Sequence, residues 1–376
     1  MSTKVKNIQM VDLKGQYMNI KDEVDEAIQG VLTNTAFING PEVKKFESEL
    51  AEYCKVNQVV SCGNGTDALQ IALMTLNLKP GDEIILPVFT YVATAEVIAL
   101  LGLKPVFVDV NSDTFNIDVE QIESKITNKT KAIVPVHLFG QISDMERLLT
   151  IAQQYNLRII EDAAQAIGAE YTFSDGTTKQ AGTIGDIGTT SFFPSKNLGC
   201  FGDGGALLTN DKSLAENCRM IANHGQQQKY YHDVVGVNSR LDTIQAAILR
   251  VKLKYLQEYS TKRQKAAKYY DQQLSGIENV TTPVLTPNST HVYHQYTLKL
   301  NEGVRDELKE YLFAHGIPSM IYYPLPLHQQ KAYKDLSNSF QVTQSLCKRV
   351  LSLPIHTEID HETQDFIIDK IKSFLN

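Results

Sequence analysis

The segment GNGTDAL, residues 63–69, has the residue types of a phosphate-binding helix start. It follows a short apolar run and opens a stretch of helical periodicity. Glycines let the backbone approach a ligand closely, and the free N–H groups of a helix N-terminus favour phosphate. The segment also fits the pattern G-x-G-x-x-A of dinucleotide sites, which expects an acid at the end of the next strand. That strand ends in Pro87–Val88–Phe89, so a phosphate site is favoured over a nicotinamide site; a glycine turn without a ligand is the other alternative.

An acidic pair stands at the end of another apolar run. The run LRIIEDA, residues 157–163, includes Glu161 and Asp162, and Gln165 follows three residues after the aspartate. Ligands of open α/β sheets bind at the carboxyl ends of strands, so an acid at this position is a candidate ligand contact. The alternative is that Asp162 caps the following helix, a common role for an isolated aspartate.

Lys196 is the third candidate residue. It lies in SFFPSKNLG, residues 191–199, directly after an apolar run and before a glycine-rich segment. Most lysines are solvated surface residues, but a lysine at a desolvated position can form a Schiff base with a carbonyl compound. The apolar and glycine-rich flanks of Lys196 favour the desolvated position.

The three features together match the chemical needs of pyridoxal 5′-phosphate. Its phosphate needs backbone donors and hydroxyls, its pyridine nitrogen needs a carboxylate, and its aldehyde needs an amine. Lys196 follows Asp162 by 34 residues. Each feature is weak alone, but in this order they predict a pyridoxal-phosphate enzyme.

The elements that must position these residues indicate an α/β fold. Seven short apolar runs with continuous hydrophobicity fall between residues 58 and 210, and helical periods separate several of them. Such runs predict strands that are buried on both faces of a mainly parallel sheet covered by helices.

The C-terminal part of the chain predicts a smaller α+β unit. We expect a large domain over residues 1–250 and a small domain over residues 251–376. His291 and His294 are three residues apart, but no further ligand cluster accompanies them, so no metal site is predicted. From about residue 240 onwards we expect a long basic helix at residues 240–270. We also expect strands at residues 292–300 and 317–323 and helices at residues 304–315 and 362–375.

Composition restricts the partners of the protein. The 376 residues are 43% hydrophobic and 21% charged, with a net charge of −7. The acidic balance argues against a nucleic-acid partner but leaves an anionic small molecule possible. The start of the chain has no apolar run typical of a signal peptide, and the longest apolar stretch, residues 84–103, is broken by Pro87 and Glu96. With five scattered cysteines, these patterns predict a cytoplasmic protein that has no disulfide framework and does not span a membrane.

The whole chain resembles the nucleotide-sugar aminotransferases of the DegT/StrS type. The motifs that carry the resemblance are GNGTDAL, EDAAQA, SFFPSKNLG, GDGGA and NSRLDTIQAAIL, and the likeness extends from VDLKGQY at residues 11–17 to LSLPIH at residues 351–356. The resemblance implies a fold-type I enzyme, whose large domain has a mixed, mainly parallel sheet flanked by helices. It also implies a homodimer with shared active sites.

The same resemblance implies roles for individual residues. Lys196 would form the Schiff base with pyridoxal 5′-phosphate and shuttle a proton, Asp162 would pair with the pyridinium nitrogen, and Gln165 would bond the phenolic oxygen. The residues implied to contact the rest of the cofactor are Gly65, Thr66 and Ser191 at the phosphate, Tyr91 on the ring face, and Asn238 reaching the phosphate in the other subunit.

The implied reaction is ping-pong transamination from L-glutamate to a keto-sugar on a nucleoside diphosphate. The segment at residues 224–253 is most similar to members that aminate a 3-keto sugar, which implies the substrate UDP-2-acetamido-2-deoxy-3-oxo-D-glucuronate and a product that enters a surface polysaccharide such as the lipopolysaccharide O-antigen. Arg240 is our candidate for the uronate carboxylate, with a structural or interface ion pair as its alternative. We expect Tyr322, Tyr323 and His328 to face the sugar. Tyr322 and His328 stand where this subgroup would have histidine and asparagine.

Other functions stay open from the sequence. The amino acceptor could instead be a 4-keto-6-deoxy sugar or a dTDP-linked 3-keto-6-deoxy sugar. The protein could also be a non-catalytic regulator that keeps the fold, although such a protein does not need Lys196, Asp162 and Gln165. A nucleotide-sugar dehydrogenase rests on Gly63 and Gly65 alone.

Overall fold

The fold combines a large mixed sheet, a small antiparallel sheet and the helices that cover them. A computed structural model of the chain describes residues 8–333 and 339–375. The strands in chain order are β1 (Gln58–Cys62), β2 (Glu83–Pro87), β3 (Lys104–Val108), β4 (Thr130–Ile133), β5 (Arg158–Asp162), β6 (Glu170–Thr172), β7 (Thr178–Gln180), β8 (Ile187–Ser191), β9 (Gly205–Thr209), β10 (Val280–Thr281), β11 (Tyr296–Leu300) and β12 (Val350–Leu353). The helices are α1 (Leu13–Asn19), α2 (Lys21–Asn34), α3 (Pro41–Cys54), α4 (Gly65–Thr75), α5 (Ala93–Leu100), α6 (Met145–Tyr155), α7 (Lys212–Ala222), α8 (Thr243–Leu253), α9 (Leu256–Leu274), α10 (Val304–Ala314), α11 (Gln341–Arg349) and α12 (His361–Leu375).

The large sheet has seven strands in the order β1-β9-β8-β5-β4-β2-β3. Six of the seven strands run in one direction. The seventh, β9, is reversed, since it pairs antiparallel with both β1 and β8. Strands β2, β8 and β9 are buried along their whole length, as expected for strands covered on both faces. The expectation of a mainly parallel sheet flanked by helices is therefore confirmed.

Helices cover both faces of the large sheet because parallel neighbours need crossover connections. Ile84 and Leu86 of β2 belong to an apolar cluster with α4, α5 and α7. Ile85, between them, belongs to a second cluster with α6. Successive side chains of a strand point to opposite faces, so the two clusters lie on opposite sides of the sheet.

The C-terminal part has its own sheet and apolar core. Strand β11 pairs antiparallel with β10 and with β12. Its buried residues pack with those of α9, α10 and α12 in one cluster that includes Tyr270, Leu298, Leu312 and Ile367. The division of the chain after residue 250 stays a prediction.

Two expected elements differ from the structure. The long helix expected over residues 240–270 is interrupted between α8 and α9, where the backbone N–H of Tyr255 bonds the carbonyl of Lys252 in a tighter turn, at 3.0 Å. The strand expected over residues 317–323 is wrong: the segment makes one isolated bridge, between Met320 and Ser352. Tyr323 packs instead on the rings of Phe89 and Tyr91.

In the described residues, no helix combines the length and the apolar character that crossing a membrane requires.

A glycine at the junction of β9 and α4 provides a test of this packing. A Cβ added to Gly205 would lie 2.4 Å from the carbonyl carbon and oxygen of Asn64, the residue that caps α4. Since backbone must move to relieve this overlap, we expect Gly205→Ala to destabilise the fold by about 1–3 kcal/mol. The measurement is unfolding by urea, followed by circular dichroism.

Gly30 provides the matched control. It lies inside α2, and a Cβ there meets nothing within 4 Å. Gly30→Ala is expected to stabilise the protein by about 0.5–1 kcal/mol, because alanine has the better helix propensity. Equal unfolding midpoints for the two variants would contradict the close approach of β9 to α4.

Candidate active site

The start of α4 forms a cradle for an anion. Asn64 caps the helix, and its side-chain oxygen accepts a hydrogen bond from the N–H of Asp67 at 2.8 Å. Gly65 begins the helix against the end of β8, where a Cβ would lie 2.7 Å from the Cβ of Ser191. Glycine therefore leaves room beside the helix N-terminus, where backbone N–H groups and a hydroxyl favour phosphate.

The loop before α4 is held from a distant part of the chain. The hydroxyl of Ser239 accepts a hydrogen bond from the N–H of Gly63 at 2.8 Å and donates one to the carboxylate of Asp67 at 2.6 Å. Ser239 is buried. The turn at residues 63–65 is thus fixed by a hydroxyl that comes from the segment just before α8.

The two acidic residues at the end of β5, Glu161 and Asp162, point to opposite faces of the sheet. Asp162 faces the cavity described below, and its Oδ2 accepts a hydrogen bond from the hydroxyl of Thr94 at 2.8 Å. Its Oδ1 accepts a longer bond from the N–H of Ala164, at 3.2 Å. Asp162 is therefore oriented by a neutral hydroxyl from α5 and by the turn that follows β5.

Glu161 points the other way and is fully buried. Its carboxylate accepts hydrogen bonds from the N–H groups of Gly182, Ile184 and Gly185 at 2.6–2.9 Å, and it pairs with His137 at 2.8 Å. These bonds join the turn before β8 to β5. Glu161 is a structural residue, and Asp162 is the acid available to a ligand.

Lys196 lies in the turn that follows β8. Its N–H bonds the carbonyl of Phe193 at 2.8 Å, and the residue lines the cavity. Burial lowers the pKa of the Lys196 amine to about 8, although the nearby Asp162 carboxylate acts in the opposite direction. A lowered pKa makes the neutral, nucleophilic amine available near neutral pH.

One cavity of about 630 Å³ brings most of the predicted residues together. It lies at the carboxyl ends of β5 and β8, the position at which open α/β sheets bind ligands. The predicted residues that line it are Gly65, Thr66, Tyr91, Asp162, Gln165, Ser191, Lys196, Tyr322 and Tyr323.

Aromatic rings form one side of the cavity. Tyr91 and Tyr323 lie with ring centroids 6.4 Å apart, and Phe89 meets Tyr323 edge-on at 5.9 Å. Burial raises the pKa of Tyr323, so its phenol stays protonated. Gln165 is fixed beside them because its side-chain oxygen accepts a hydrogen bond from the N–H of Phe139 at 2.7 Å.

Three predicted residues do not line this cavity. Asn238 is exposed, and Arg240 is half-buried; within residues 8–333 and 339–375 no hydrogen bond or ion pair of the Arg240 guanidinium is found. His328 is buried in a short turn, with its ring edge-on to Phe340 at 4.7 Å. The structure thus separates these three residues from the nine that share the cavity.

Sequence reasoning missed Thr94 and His294. Thr94 stands three residues after Tyr91 in the same segment, so its place near the cavity could have been predicted. Its bond to Asp162 arises only from tertiary packing, which brings the start of α5 to the end of β5. His294 was considered only as a metal ligand. It lines the cavity, and no sequence signal indicated this because residue 294 lies 98 residues beyond Lys196.

The donor set fits pyridoxal 5′-phosphate. The cradle at Gly65 offers backbone N–H groups beside Ser191, Asp162 offers a carboxylate already oriented by Thr94, and Lys196 offers an amine of lowered pKa. These are the three functions that the cofactor's phosphate, ring nitrogen and aldehyde need. Among the described residues, no group of three or more metal-ligating side chains is found.

Replacing Thr94 with valine tests the orientation of Asp162. The variant keeps the shape but removes the 2.8 Å hydrogen bond to the carboxylate. Since a hydrogen bond to a charged group contributes about 1.5–3 kcal/mol, we expect the Kd for pyridoxal 5′-phosphate to rise about tenfold or more. The measurement is spectroscopic titration of cofactor-free protein.

Thr75→Val is the control. The Thr75 hydroxyl is also buried and bonds the carbonyl of Ile71 at 2.8 Å, within α4 and away from the cavity. It is expected to leave the Kd unchanged. An unchanged Kd in Thr94→Val would show that Thr94 does not orient Asp162 for the cofactor.

Comparison with known proteins identifies the family. The model of the DegT/DnrJ/EryC1/StrS aminotransferase family matches residues 18–372. The chain is 46% identical over 353 residues to UDP-2-acetamido-2-deoxy-3-oxo-D-glucuronate aminotransferase of Pseudomonas aeruginosa, covering 94% of this chain and 96% of the relative. It is also 46% identical over 373 residues to a Geobacillus stearothermophilus protein named pleiotropic regulatory protein, covering 98% of each.

Solved structures agree with the family match. The structure of ntda from Bacillus subtilis with bound cofactor PMP superposes with a TM-score of 0.88 at 33% identity, covering 95% of this chain and 82% of that one. The resemblance seen in the sequence motifs is therefore confirmed. The chain belongs to the DegT/DnrJ/EryC1/StrS aminotransferase family and is a pyridoxal-phosphate-dependent aminotransferase.

Proposed function

We propose that this aminotransferase moves the amino group of L-glutamate onto a 3-keto nucleotide sugar, UDP-2-acetamido-2-deoxy-3-oxo-D-glucuronate. The products are the 3-amino sugar and 2-oxoglutarate. The observation that carries the catalytic part of the proposal is the shared cavity of Lys196 and Asp162, in which burial lowers the pKa of the lysine to about 8. The choice of sugar is supported by the Pseudomonas aeruginosa relative.

Lys196 is the catalytic residue in this proposal. When bound, pyridoxal 5′-phosphate supplies an aldehyde for the amine and an electron sink for the transferred group. The Lys196 amine would hold the cofactor through that aldehyde and, once released from it, would move a proton at the substrate carbon. At pH 7 a pKa of about 8 leaves roughly a tenth of the amine neutral, far more than at its ordinary pKa.

The other cavity residues orient the cofactor in this proposal. Asp162 keeps the ring nitrogen protonated, and Gln165 bonds the phenolic oxygen. The start of α4, at Gly65 and Thr66, holds the phosphate together with the hydroxyl of Ser191. Tyr91 covers one face of the ring, a role supported by its place on the aromatic side of the cavity.

The sugar-binding residues are proposed from the cavity rim and from the 238–240 segment. Tyr322 and Tyr323 line the cavity, where their phenols can bond sugar hydroxyls. Arg240 is proposed to bind the uronate carboxylate, because its guanidinium is not engaged elsewhere in the described part of the chain and has the matching fork geometry. His328 stays a proposed sugar residue from the resemblance alone, since its ring packs on Phe340 and does not line the cavity.

A homodimer with shared sites completes the proposal. Asn238 is exposed, and Ser239 beside it is anchored to the loop that begins α4. Its exposure beside the anchored Ser239 supports a role for Asn238 at the cofactor phosphate of a second copy. We place the enzyme in the cytoplasm, and its product on the route to a surface polysaccharide such as the O-antigen.

Catalysis is favoured over a purely regulatory role, although one relative is named a regulatory protein. A module that only binds a ligand has no need for a desolvated lysine opposite an oriented carboxylate. Here both line one cavity. The alternative amino acceptors, a 4-keto-6-deoxy sugar or a dTDP-linked 3-keto-6-deoxy sugar, are outcomes of the following experiment.

The experiment mixes the protein, L-glutamate and a panel of keto nucleotide sugars, with products identified by mass spectrometry. We expect a yellow protein that forms 2-oxoglutarate and a 3-amino sugar. We expect the uronic acid to be the preferred acceptor, because its carboxylate gains a bidentate bond to Arg240. Arg240→Ala is expected to lose the preference for the uronic acid over its uncharged analogue. Lys196→Ala is expected to lose the visible band and at least a thousandfold in rate, on the order of removing a covalent catalyst.

Each other result has a defined meaning. A wild-type protein that stays colourless with added cofactor would overturn the catalytic proposal. Turnover restricted to a 4-keto-6-deoxy sugar would keep the enzyme class and overturn the substrate. An Arg240→Ala variant that keeps the preference would remove Arg240 from the sugar site.

Complementation between two inactive variants tests the shared site. Lys196→Ala supplies an intact Asn238, and Asn238→Asp, whose carboxylate repels phosphate, supplies an intact Lys196. If sites are shared across a twofold interface, a mixed dimer contains one complete site, so an equal mixture should recover about a quarter of wild-type activity. The measurement is activity after subunit exchange.

Lys196→Ala mixed with Asp162→Ala is the control, because both residues belong to the same chain's cavity and no complete site can form. Recovery in neither mixture would contradict a role for Asn238 in the partner's site.

A further inference from the structure

His294 is a buried histidine that faces the active-site cavity. Its side chain is 4% exposed and lines the same cavity as Lys196 and Asp162. Its ring nitrogen Nδ1 is buried without a hydrogen-bond partner among the described residues. An unpartnered buried polar atom costs free energy, so its retention beside the reactive lysine needs a physical reason.

The backbone around His294 is held rigidly. The buried guanidinium of Arg263, from α9, bonds the carbonyls of Tyr293 and Ile355, each at 3.0 Å, and reaches that of His294 at 3.5 Å. Two residues before His294, the N–H of Val292 bonds the carbonyl of Gly140 at 2.9 Å. These bonds fix the direction from which the imidazole enters the cavity.

The same segment is tied directly to the turn that carries Lys196. Asn197 is buried, and its side-chain NH₂ donates to the carbonyl of Val292 at 3.0 Å. Asn197 is the next residue after Lys196, and Val292 precedes His294 by two. One hydrogen bond, between Asn197 and Val292, therefore joins the segment that carries the lysine to the segment that carries the histidine.

Burial, together with the neighbouring positive charges, keeps the ring of His294 neutral. Burial lowers the pKa of His294 well below its usual value, and the positive charges of Lys196 and Arg263 act in the same direction. The charged group that acts on Lys196 in turn is Asp162. A neutral imidazole has one donor and one acceptor nitrogen, and an ammonium group can only donate, so the acceptor nitrogen is complementary to the protonated lysine.

We propose that His294 is a positioning residue for Lys196: its neutral ring accepts a hydrogen bond from the lysine Nζ once the amino donor has displaced that amine from the cofactor. The bond holds the displaced lysine over the reacting carbon instead of letting it turn away. This inference rests on the catalytic role proposed for Lys196. It explains why a histidine without an internal partner stands at this place.

The test measures the titration of Lys196 in the protein loaded with pyridoxamine 5′-phosphate, in which the lysine amine is free. Amines are trace-labelled with acetic anhydride across a pH series, and peptide mass spectrometry separates Lys196 from Lys252, whose pKa is also lowered to about 8. His294→Leu removes the acceptor that stabilises the ammonium form, so the pKa of Lys196 is expected to fall by about one unit. His294→Asn and His294→Gln each restore one acceptor position, and one of them is expected to keep the wild-type profile.

His291→Asn is the matched control. His291 is equally buried three residues away, but its Nδ1 accepts a hydrogen bond from the N–H of Tyr293 at 2.9 Å, and it does not line the cavity. This variant is expected to leave the Lys196 profile unchanged. An unshifted profile in His294→Leu would overturn the proposal. If His294→Leu does not fold, the two amide variants decide. The proposal is supported if one of them keeps the wild-type pKa of Lys196 while the other lowers it, and it is overturned if both lower it.

A separate readout distinguishes this proposal from the function on which it rests. Borohydride reduction of the wild-type holoenzyme, followed by peptide mapping, shows whether Lys196 carries the cofactor. Its failure would overturn the catalytic role of Lys196, whereas the labelling profiles report only on the contact between His294 and the lysine.

Discussion

The buried carboxylate of Glu161 is the constraint on which the rest of the site depends. It is satisfied by three N–H groups of the turn at residues 182–185 and by His137. Leaving a buried charge unpaired costs about 3–5 kcal/mol, so this turn has one position relative to β5. Strand β8 follows directly, and Ser191 at its end and Lys196 beyond it take their places from that position. The functional acid, next in sequence to Glu161, is thus separated from the structural one by the alternation of a strand.

A chain of net charge −7 binds an anionic cofactor because the relevant electrostatics are local. The cradle at Gly65 uses backbone N–H groups and the helix dipole, which contribute nothing to the net charge. Two acidic residues, Asp162 and Asp203, line the cavity. Asp162 ends β5, whereas the cradle is formed by the start of α4. Low polarity around Lys196 lowers its pKa and strengthens every charge interaction inside the cavity.

Sequence reasoning predicted the parts that depend on local pattern and missed those that depend on packing. The apolar run at residues 58–62 coincides with β1, because continuous hydrophobicity is typical of a strand covered on both faces. The motif residues gather in one cavity because parallel strands end at one edge of the sheet. Thr94 could not be predicted as the partner of Asp162, since that bond depends on tertiary packing that brings the start of α5 to the end of β5. No strand forms at residues 317–323, where Tyr323 packs on the rings of Phe89 and Tyr91.

The segment at residues 238–240 shows how one anchor can serve two sites. Ser239 points inward and holds Gly63 and Asp67, which fixes the start of α4 in its own chain. Asn238 beside it is exposed, and Arg240 is half-buried. In the proposed dimer Asn238 completes the partner's site. A shift of Ser239 would then disturb the phosphate cradle of one chain and the phosphate contact of Asn238 in the other, which would couple cofactor binding to assembly through a single hydroxyl.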